Sequence, residues 1–503
     1  MFIYNAVLAY NAWIWGIPIL IILIGGGLYL SFVTGFVQVR HFPDVLKSTV
    51  GGMFNKEEMK EETGKHHGTI SSFQAVSAAL AAVLGTGNIV GVGTAIAAGG
   101  PGAIFWMWVV GFVAMALKYS EACVSIAVRE KKPEGGYKGG ANYYLSKINK
   151  PLGFAWSIAM IYGLITAAGV HTGSVVTACE SLGIPRLVAT IVVCIIIALI
   201  IFGGIQALVQ ITERLVPFMA AIYIIAGLAV VVLNIGNLIP AIVSIFKGAF
   251  TGTAAIGGFA GATISAAIRN GCARGVYSSD AGNGQSSIAY SQSSETDPVK
   301  QGMWGIFEVF FDTIVVCTFT ALVILCTGVW QTGEAGSTLA ITAFTSALGG
   351  VGKVIASIGL MMFAGSTVLA FCTFIGLTCE NVFGKTGRWI GQIGFVILAF
   401  VGGMVGVDIL LGWADFGNSL TLTLNIIGLL CFSKKIAQWT RNYFEKETLS
   451  QNNCRISCYP LGCGSFPHWL SSAIYKYYIF FSYHVTKRRT GFISCPPFYL
   501  EPK

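Results

Sequence analysis

The chain has 503 residues, of which 54% are hydrophobic and only 11% charged, with a formal net charge of +9. A soluble domain carries about 25% charged residues, so much of this surface must face lipid, and no hydrophilic block is long enough to form a soluble domain. The positive balance does not point to nucleic acid, because the basic residues sit in short segments between apolar runs. Seven of the thirteen cysteines (Cys123, Cys179, Cys194, Cys317, Cys326, Cys372 and Cys379) lie inside apolar runs and read as small buried hydrophobes rather than a disulfide framework. The first positive charge is Arg40, after the first apolar run, which argues against a cleavable leader.

Runs of about 20 apolar residues match a hydrocarbon core of about 30 Å. In chain order the sequence predicts eleven spans, at about 12–38, 70–98, 101–128, 152–180, 186–204, 207–233, 254–277, 302–328, 352–383, 387–406 and 407–433. Shorter apolar pieces at 237–250 and 337–349 read as helices lying across a surface. Lysine and arginine asymmetry then sets the orientation. With the second span running outward, the inner segments hold nineteen positive charges and the outer ones only Arg186, Lys247 and Lys353. The expected topology has the N-terminus outside and the C-terminus cytoplasmic.

The second span is interrupted by Leu84-Gly85-Thr86-Gly87-Asn88-Ile89-Val90-Gly91. Glycine-rich, polar-dotted backbone at membrane depth persists only where it is buried in protein or lines a cavity. A second interruption is expected at Gly257-Gly258-Phe259-Ala260-Gly261-Ala262-Thr263, in the seventh span. Paired breaks at matching positions in two halves point to a transporter binding site. With the first span set aside, ten remain, in two sets of five that begin at the two breaks; five being odd, the second set runs inverted. The chain therefore divides into an extra helix with its linker (1–69), a first repeat (70–233), a second repeat (234–433) and a tail (434–503). A shift of 184 residues aligns Ala82, Gly87, Gly91 and Val92 with Ala266, Gly271, Gly275 and Val276, which would move the second break later.

A broken helix presents N–H groups at one end, suited to a carboxylate, and C=O groups at the other, suited to a cation. Thr86 and Gly87 are the candidate N–H donors; the carbonyls of Ala81, Val83 and Leu84 and the amide oxygen of Asn88 are candidate cation ligands. The competing reading makes Gly87 and Gly91 a helix-packing face. In the ninth span, Ser366 and Thr367 offer two adjacent hydroxyls for a sodium ion, or bond back to their own helix carbonyls. Charges at membrane depth are few and mark function. Asp312, with Glu308 one turn earlier, and Arg269, Arg274 and Asp280 are candidates for gating or coupling, or else hold helices together as ion pairs. His171, in the fourth span, reads as a helix–helix hydrogen-bonder. No His/Cys/carboxylate cluster has metal-ligand spacing and no nucleophile–base pair stands out, so neither an intramembrane enzyme nor a channel with a filter loop is supported.

Three segments carry a family resemblance: GTGNIVGVGTAIAAGGPGAIFWMWV (85–109), GGFAGATISAAIRNGCARGVYSSDAGNGQ (257–285) and FDTIVVCTFTALVILCTG (311–328). They resemble the alanine or glycine:cation symporters, the sodium:alanine symporters of bacteria and archaea, over nearly all of residues 1–447. The resemblance implies an all-α membrane protein of the leucine-transporter type, a five-plus-five inverted repeat preceded by one extra helix, in the cytoplasmic membrane. It implies sodium-coupled uptake of a small neutral amino acid by alternating access, with proton coupling on the same fold as the alternative. Thr86 and Gly87 would then meet the substrate carboxylate, and Phe259 and Thr263 the other side of the pocket. Sodium would be held by the carbonyls of Ala81 and Leu84 with Ser366 and Thr367.

Two departures bear on the substrate. Where the family has Gly-Trp-Ser-Tyr-Tyr after the Ser-Thr pair, this chain has Ala370-Phe371-Cys372-Thr373-Phe374. Where the family has Phe-Gly-Ile-Gly-Asn in the fourth span, this chain has Ala168-Gly169-Val170-His171-Thr172. Smaller residues at Phe371 and Ala168, beside Thr172, predict a preference shifted from glycine or alanine toward glutamine or serine. From about Thr448 the sequence turns cysteine- and aromatic-rich (Cys454, Cys458, Cys463 and Cys495) and reads as a disordered or aberrant tail.

Overall fold

The computed structural model describes residues 2–51, 70–133, 135–251, 263–405 and 407–457. Residues 1–443 form one compact unit and residues 444–503 a second. The described chain is almost wholly helical, with one two-residue β-ribbon pairing Glu130–Lys131 with Tyr137–Lys138. Among the described residues, six helices are long and apolar enough to cross a membrane, or eight when each of two bent pairs is taken as one span.

The first bent pair joins α1 (Phe2–Ile14) to α2 (Ile17–Val33) through a 44° turn. Gly16 and Pro18 place that turn, because proline cannot donate to the preceding helix. The second joins α3 (Ser72–Val83) to α4 (Gly87–Gly99) through 47°, at the interruption expected from Gly85 and Gly87. Ser71 starts α3 with a capping box, accepting from the Gln74 N–H while the Gln74 side chain accepts from the Ser71 N–H. Next come α5 (Gly102–Val128), α6 (Lys150–Ser181), α7 (Arg186–Leu233) and the short apolar α8 (Ile235–Thr251).

At about 1.5 Å per residue, the 48 residues of α7 would run about 72 Å as a straight helix, more than twice the hydrocarbon thickness. Gly204 breaks it, with φ 63° and ψ −149°, a conformation that costs glycine alone little. Gly349 and Gly384 do the same in α12 (Gly336–Val405). The second half also holds α9 (Ile264–Ser279), the short α10 (Ser286–Tyr290), α11 (Pro298–Thr327) and α13 (Val407–Ser457).

Of the interruption expected at Gly257–Thr263, all but Thr263 lies outside the described residues, Phe259 included. The interruption that is described in this half comes later, at Asp280–Gln285, between α9 and α10. Three of its residues have left-handed φ: Asp280 at 47°, Gly282 at 88° and Gly284 at 85°. Close approach of backbones puts the end of α9, where this second break begins, beside the first: a Cβ on Gly87 would stand 2.6 Å from Ser278 Cα.

Candidate functional site

The site is built where α3 ends. Leu84 leaves helical geometry at ψ 78°, and the last four carbonyls of a helix have no partner within it. The Ala81 carbonyl is one of these. It accepts from Thr367 Oγ1 at 3.1 Å and Ser366 Oγ at 3.3 Å, both reaching across from α12. Each hydroxyl also contacts the Phe363 carbonyl of its own helix, at 3.1 and 2.9 Å. Helix back-bonding and the reach to the broken helix therefore coexist. Two buried hydroxyls thus lie within 3.3 Å of one buried carbonyl oxygen, the hard-donor chemistry that suits sodium.

Asn88 has a different role from the cation ligand expected of it. Its Oδ1 accepts from the Gly85 N–H at 3.1 Å, closing the turn of the break. Its Nδ2 donates to Asp312 Oδ1 at 2.6 Å. Asp312, fully buried, also accepts from Ser278 Oγ at 2.7 Å and Thr313 Oγ1 at 2.8 Å, so one carboxylate ties the first break, the end of α9 and α11 together. Among the described residues it pairs with no arginine, contrary to one of the two expectations for it.

A narrow cavity lies between the two breaks. Ala82, Val83 and Gly87 line it from the first, Tyr277, Asp280 and Gln285 from the second. α6 contributes Met160, Gly163, Ala167 and His171, α12 contributes Phe371, and α13 contributes Asn418 and Thr421. Thr86 Oγ1 sits at its edge, 3.2 Å from His171 Nδ1 and 3.4 Å from the Tyr277 hydroxyl. The His171 ring is parallel to Tyr277 at 6.4 Å and edge-on to Phe371 at 5.1 Å. The N–H groups at the start of α4 have no partners within that helix, which leaves the Gly87 end suited to an anion.

Several expected residues fall elsewhere. Ala168 and Thr172 are fully buried but lie one position round α6 from the lining residues Ala167 and His171. Thr263 is exposed and caps α9 by accepting from the Ala266 N–H; fourteen residues separate it from Tyr277, about 21 Å of helix. Arg269 is exposed on the same helix. Arg274 pairs with Asp415 of α13 at 3.3 Å and lies 5.5 Å from the Tyr277 ring centre. Arg274 and Asp415 each stand one turn from a lining residue, Tyr277 and Asn418, which puts the ion pair next to the cavity lining. Sequence reading missed Asp415, Asn418 and Thr421, which lie inside the expected eleventh span (407–433), and it missed the pocket role of His171.

A multi-pass membrane protein with a central cavity between two broken helices is the class these features define. The description of the sodium:alanine symporter family matches residues 1–456, and the chain belongs to that family. It is 39% identical over 451 residues to the sodium/alanine symporter AgcS of Methanococcus maripaludis, covering 86% of this chain and 96% of that protein. It is 38% identical over 448 residues to an uncharacterized transporter of Haemophilus influenzae (87% and 95% covered). The probable sodium/glutamine symporter GlnT of Bacillus subtilis is 30% identical over 470 residues (90% and 95% covered).

Proposed function

We propose that this chain is a secondary active symporter that couples inward sodium movement to uptake of a small neutral amino acid by alternating access. The observation that carries the reading is the convergence of Ser366 and Thr367 on the Ala81 carbonyl, at the buried C-terminal end of a broken helix. Sodium is held there, with the Leu84 carbonyl as a fourth ligand. The substrate carboxylate meets the N–H groups of Thr86 and Gly87, and the side chain points toward His171, Phe371 and Asn418. Asp312 couples the two breaks. In the proposed architecture eleven spans form a five-plus-five inverted repeat after one extra helix, with the N-terminus outside and the C-terminus cytoplasmic. The test is labelled alanine uptake into proteoliposomes under an imposed inward sodium gradient. Accumulation that collapses with a sodium ionophore supports the proposal; accumulation driven by a proton gradient alone favours the proton-coupled alternative.

The substrate follows from what fills the cavity. Phe371 in place of the family tryptophan frees space, but His171, where the family has glycine, takes part of it back and adds a polar edge. A short polar side chain such as serine fits this combination better than glutamine. His171→Gly should then raise uptake of glutamine relative to serine by about tenfold, since pocket changes of this size are worth about 1–3 kcal/mol. Competition of labelled alanine uptake by an amino acid panel reads the ratio; glycine and D-alanine winning in the unaltered protein would contradict the preference.

In the proposed orientation the Arg274–Asp415 pair lies on the outer side of the cavity and acts as its external latch. Asp415→Asn should slow uptake by about tenfold or more, the loss of a charged hydrogen bond being worth about 1.5–3 kcal/mol. Alanine binding should change far less, and equal loss of both would contradict a latch.

A further inference from the structure

Two buried charges on α5 take no part in the cavity or the sodium ligands. Lys118 and Glu121 are both fully buried, one turn apart. Lys118 Nζ lies 3.1 Å from Glu308 Oε1 and donates to Ser286 Oγ at 2.8 Å and to the Asp280 carbonyl at 3.2 Å. Glu308 also accepts from Ser286 Oγ at 2.9 Å and from the Tyr290 hydroxyl. The Asp280 carboxylate accepts from Asn283 Nδ2 at 3.1 Å and Gln285 Nε2 at 3.0 Å. Glu121 Oε1 accepts from the Gly284 N–H at 3.0 Å and from Asn425 Nδ2 at 2.7 Å, while Glu121 Oε2 has no hydrogen-bond partner. The Tyr144 hydroxyl completes the surroundings by donating to Asn425 Oδ1.

The charges do not balance. Three carboxyl groups, Glu121, Asp280 and Glu308, face one ammonium, and none is more than 8% exposed. An uncompensated buried ion costs several kcal/mol even after relaxation, and such a group neutralises instead. Glu308 has the lysine and two hydroxyl donors, and Asp280 has two amides and an edge on the cavity. Among the described residues, Glu121 has no ion pair and one oxygen with no partner. We infer that Glu121 is a proton-binding site, a neutral carboxyl that clamps the Gly282–Gly284 turn of the second break to α13. The clamp is direct: Asn425 Nδ2 bonds both Glu121 Oε1 and, at 2.9 Å, the Gly282 carbonyl. Release of the proton, carboxylic acid to carboxylate plus H⁺, strengthens the hydrogen bonds from Gly284 and Asn425 but leaves an uncompensated buried charge beside Glu308 and Asp280. That charge disfavours the buried arrangement of the turn. Uptake therefore falls on the alkaline side through Glu121, separately from sodium.

Infrared spectroscopy of the full chain in lipid tests the site without transport. The deuterium-sensitive carbonyl stretch of the buried carboxylic acids should lose one component in Glu121→Gln, whose amide oxygen still accepts from the Gly284 N–H, while any component from Asp312 remains. Should Glu121→Gln fail to insert, Glu121→Asp must shift the band. A spectrum with no such band in the unaltered protein, no difference between the unaltered protein and Glu121→Gln, or no shifted component in Glu121→Asp overturns the inference. The uptake arm rests on the symport reading: the alkaline fall should disappear in Glu121→Gln, and an unchanged fall also overturns it. Absence of all amino acid uptake by the unaltered protein would sink the symport reading and leave the infrared result standing.

Discussion

Gly87→Ala should abolish uptake in a protein that still inserts. The added methyl would stand 2.6 Å from Ser278 Cα and 3.1 Å from Ser278 N, and neither backbone atom can rotate away. Overpacking of this kind costs about 1–3 kcal/mol, and at about 1.4 kcal/mol per tenfold the upper figure corresponds to about a hundredfold loss. The cost falls on the arrangement in which the two breaks touch, so the variant is held away from it. Gly365→Ala, one residue before the Ser-Thr pair, has nothing within 4 Å of the new Cβ and should transport normally. Equal uptake by both variants would show that contact between the breaks is not needed.

Asp312→Ala is expected to cost both stability and uptake. It removes the carboxylate that accepts from Asn88 Nδ2, Ser278 Oγ and Thr313 Oγ1. Asn88 keeps the backbone carbonyl of residue 312 at 3.3 Å and Ser278 keeps Cys317 Sγ at 3.1 Å, whereas Thr313 Oγ1 loses its acceptor in a fully buried position. An unsatisfied buried group costs about 1–3 kcal/mol, so a loss of about that size and a lower melting temperature should follow. Asp312→Asn keeps one acceptor oxygen and should sit between the two. A melting temperature for Asp312→Ala equal to that of the unaltered protein would remove Asp312 as the tie between the breaks.

The first break was legible because its signal is local: glycines and an asparagine inside an apolar run cannot continue a lipid-facing helix. The later interruption was not. Asp280-Ala281-Gly282-Asn283-Gly284-Gln285 is polar enough to resemble an ordinary turn beyond the end of a span, and only its contacts with α5 and α13 place it at the cavity. Lys118 and Glu121 were passed over in the third span for the same reason: their partners Glu308, Gly284 and Asn425 lie more than 160 residues away in sequence. Family departures in α6 gave the right helix but the wrong face. Ala168 and Thr172 drew attention because they differ from the family, whereas the helical period puts Ala167 and His171 toward the cavity. The Ser366–Thr367 pair shows the opposite case. Two adjacent hydroxyls bonding their own helix is the ordinary outcome, and what sets these apart is a third oxygen, the Ala81 carbonyl, 285 residues earlier in the chain.

That trio of oxygens is the centre of the account, and the sodium dependence of alanine uptake in proteoliposomes tests it most directly. Ser366→Ala and Thr367→Ala should each raise the sodium concentration for half-maximal uptake by about tenfold, the worth of one hydrogen-bond-strength ligand at about 1.4 kcal/mol, while the order of competing amino acids stays the same. An unchanged sodium half-saturation in normally inserted variants would contradict it.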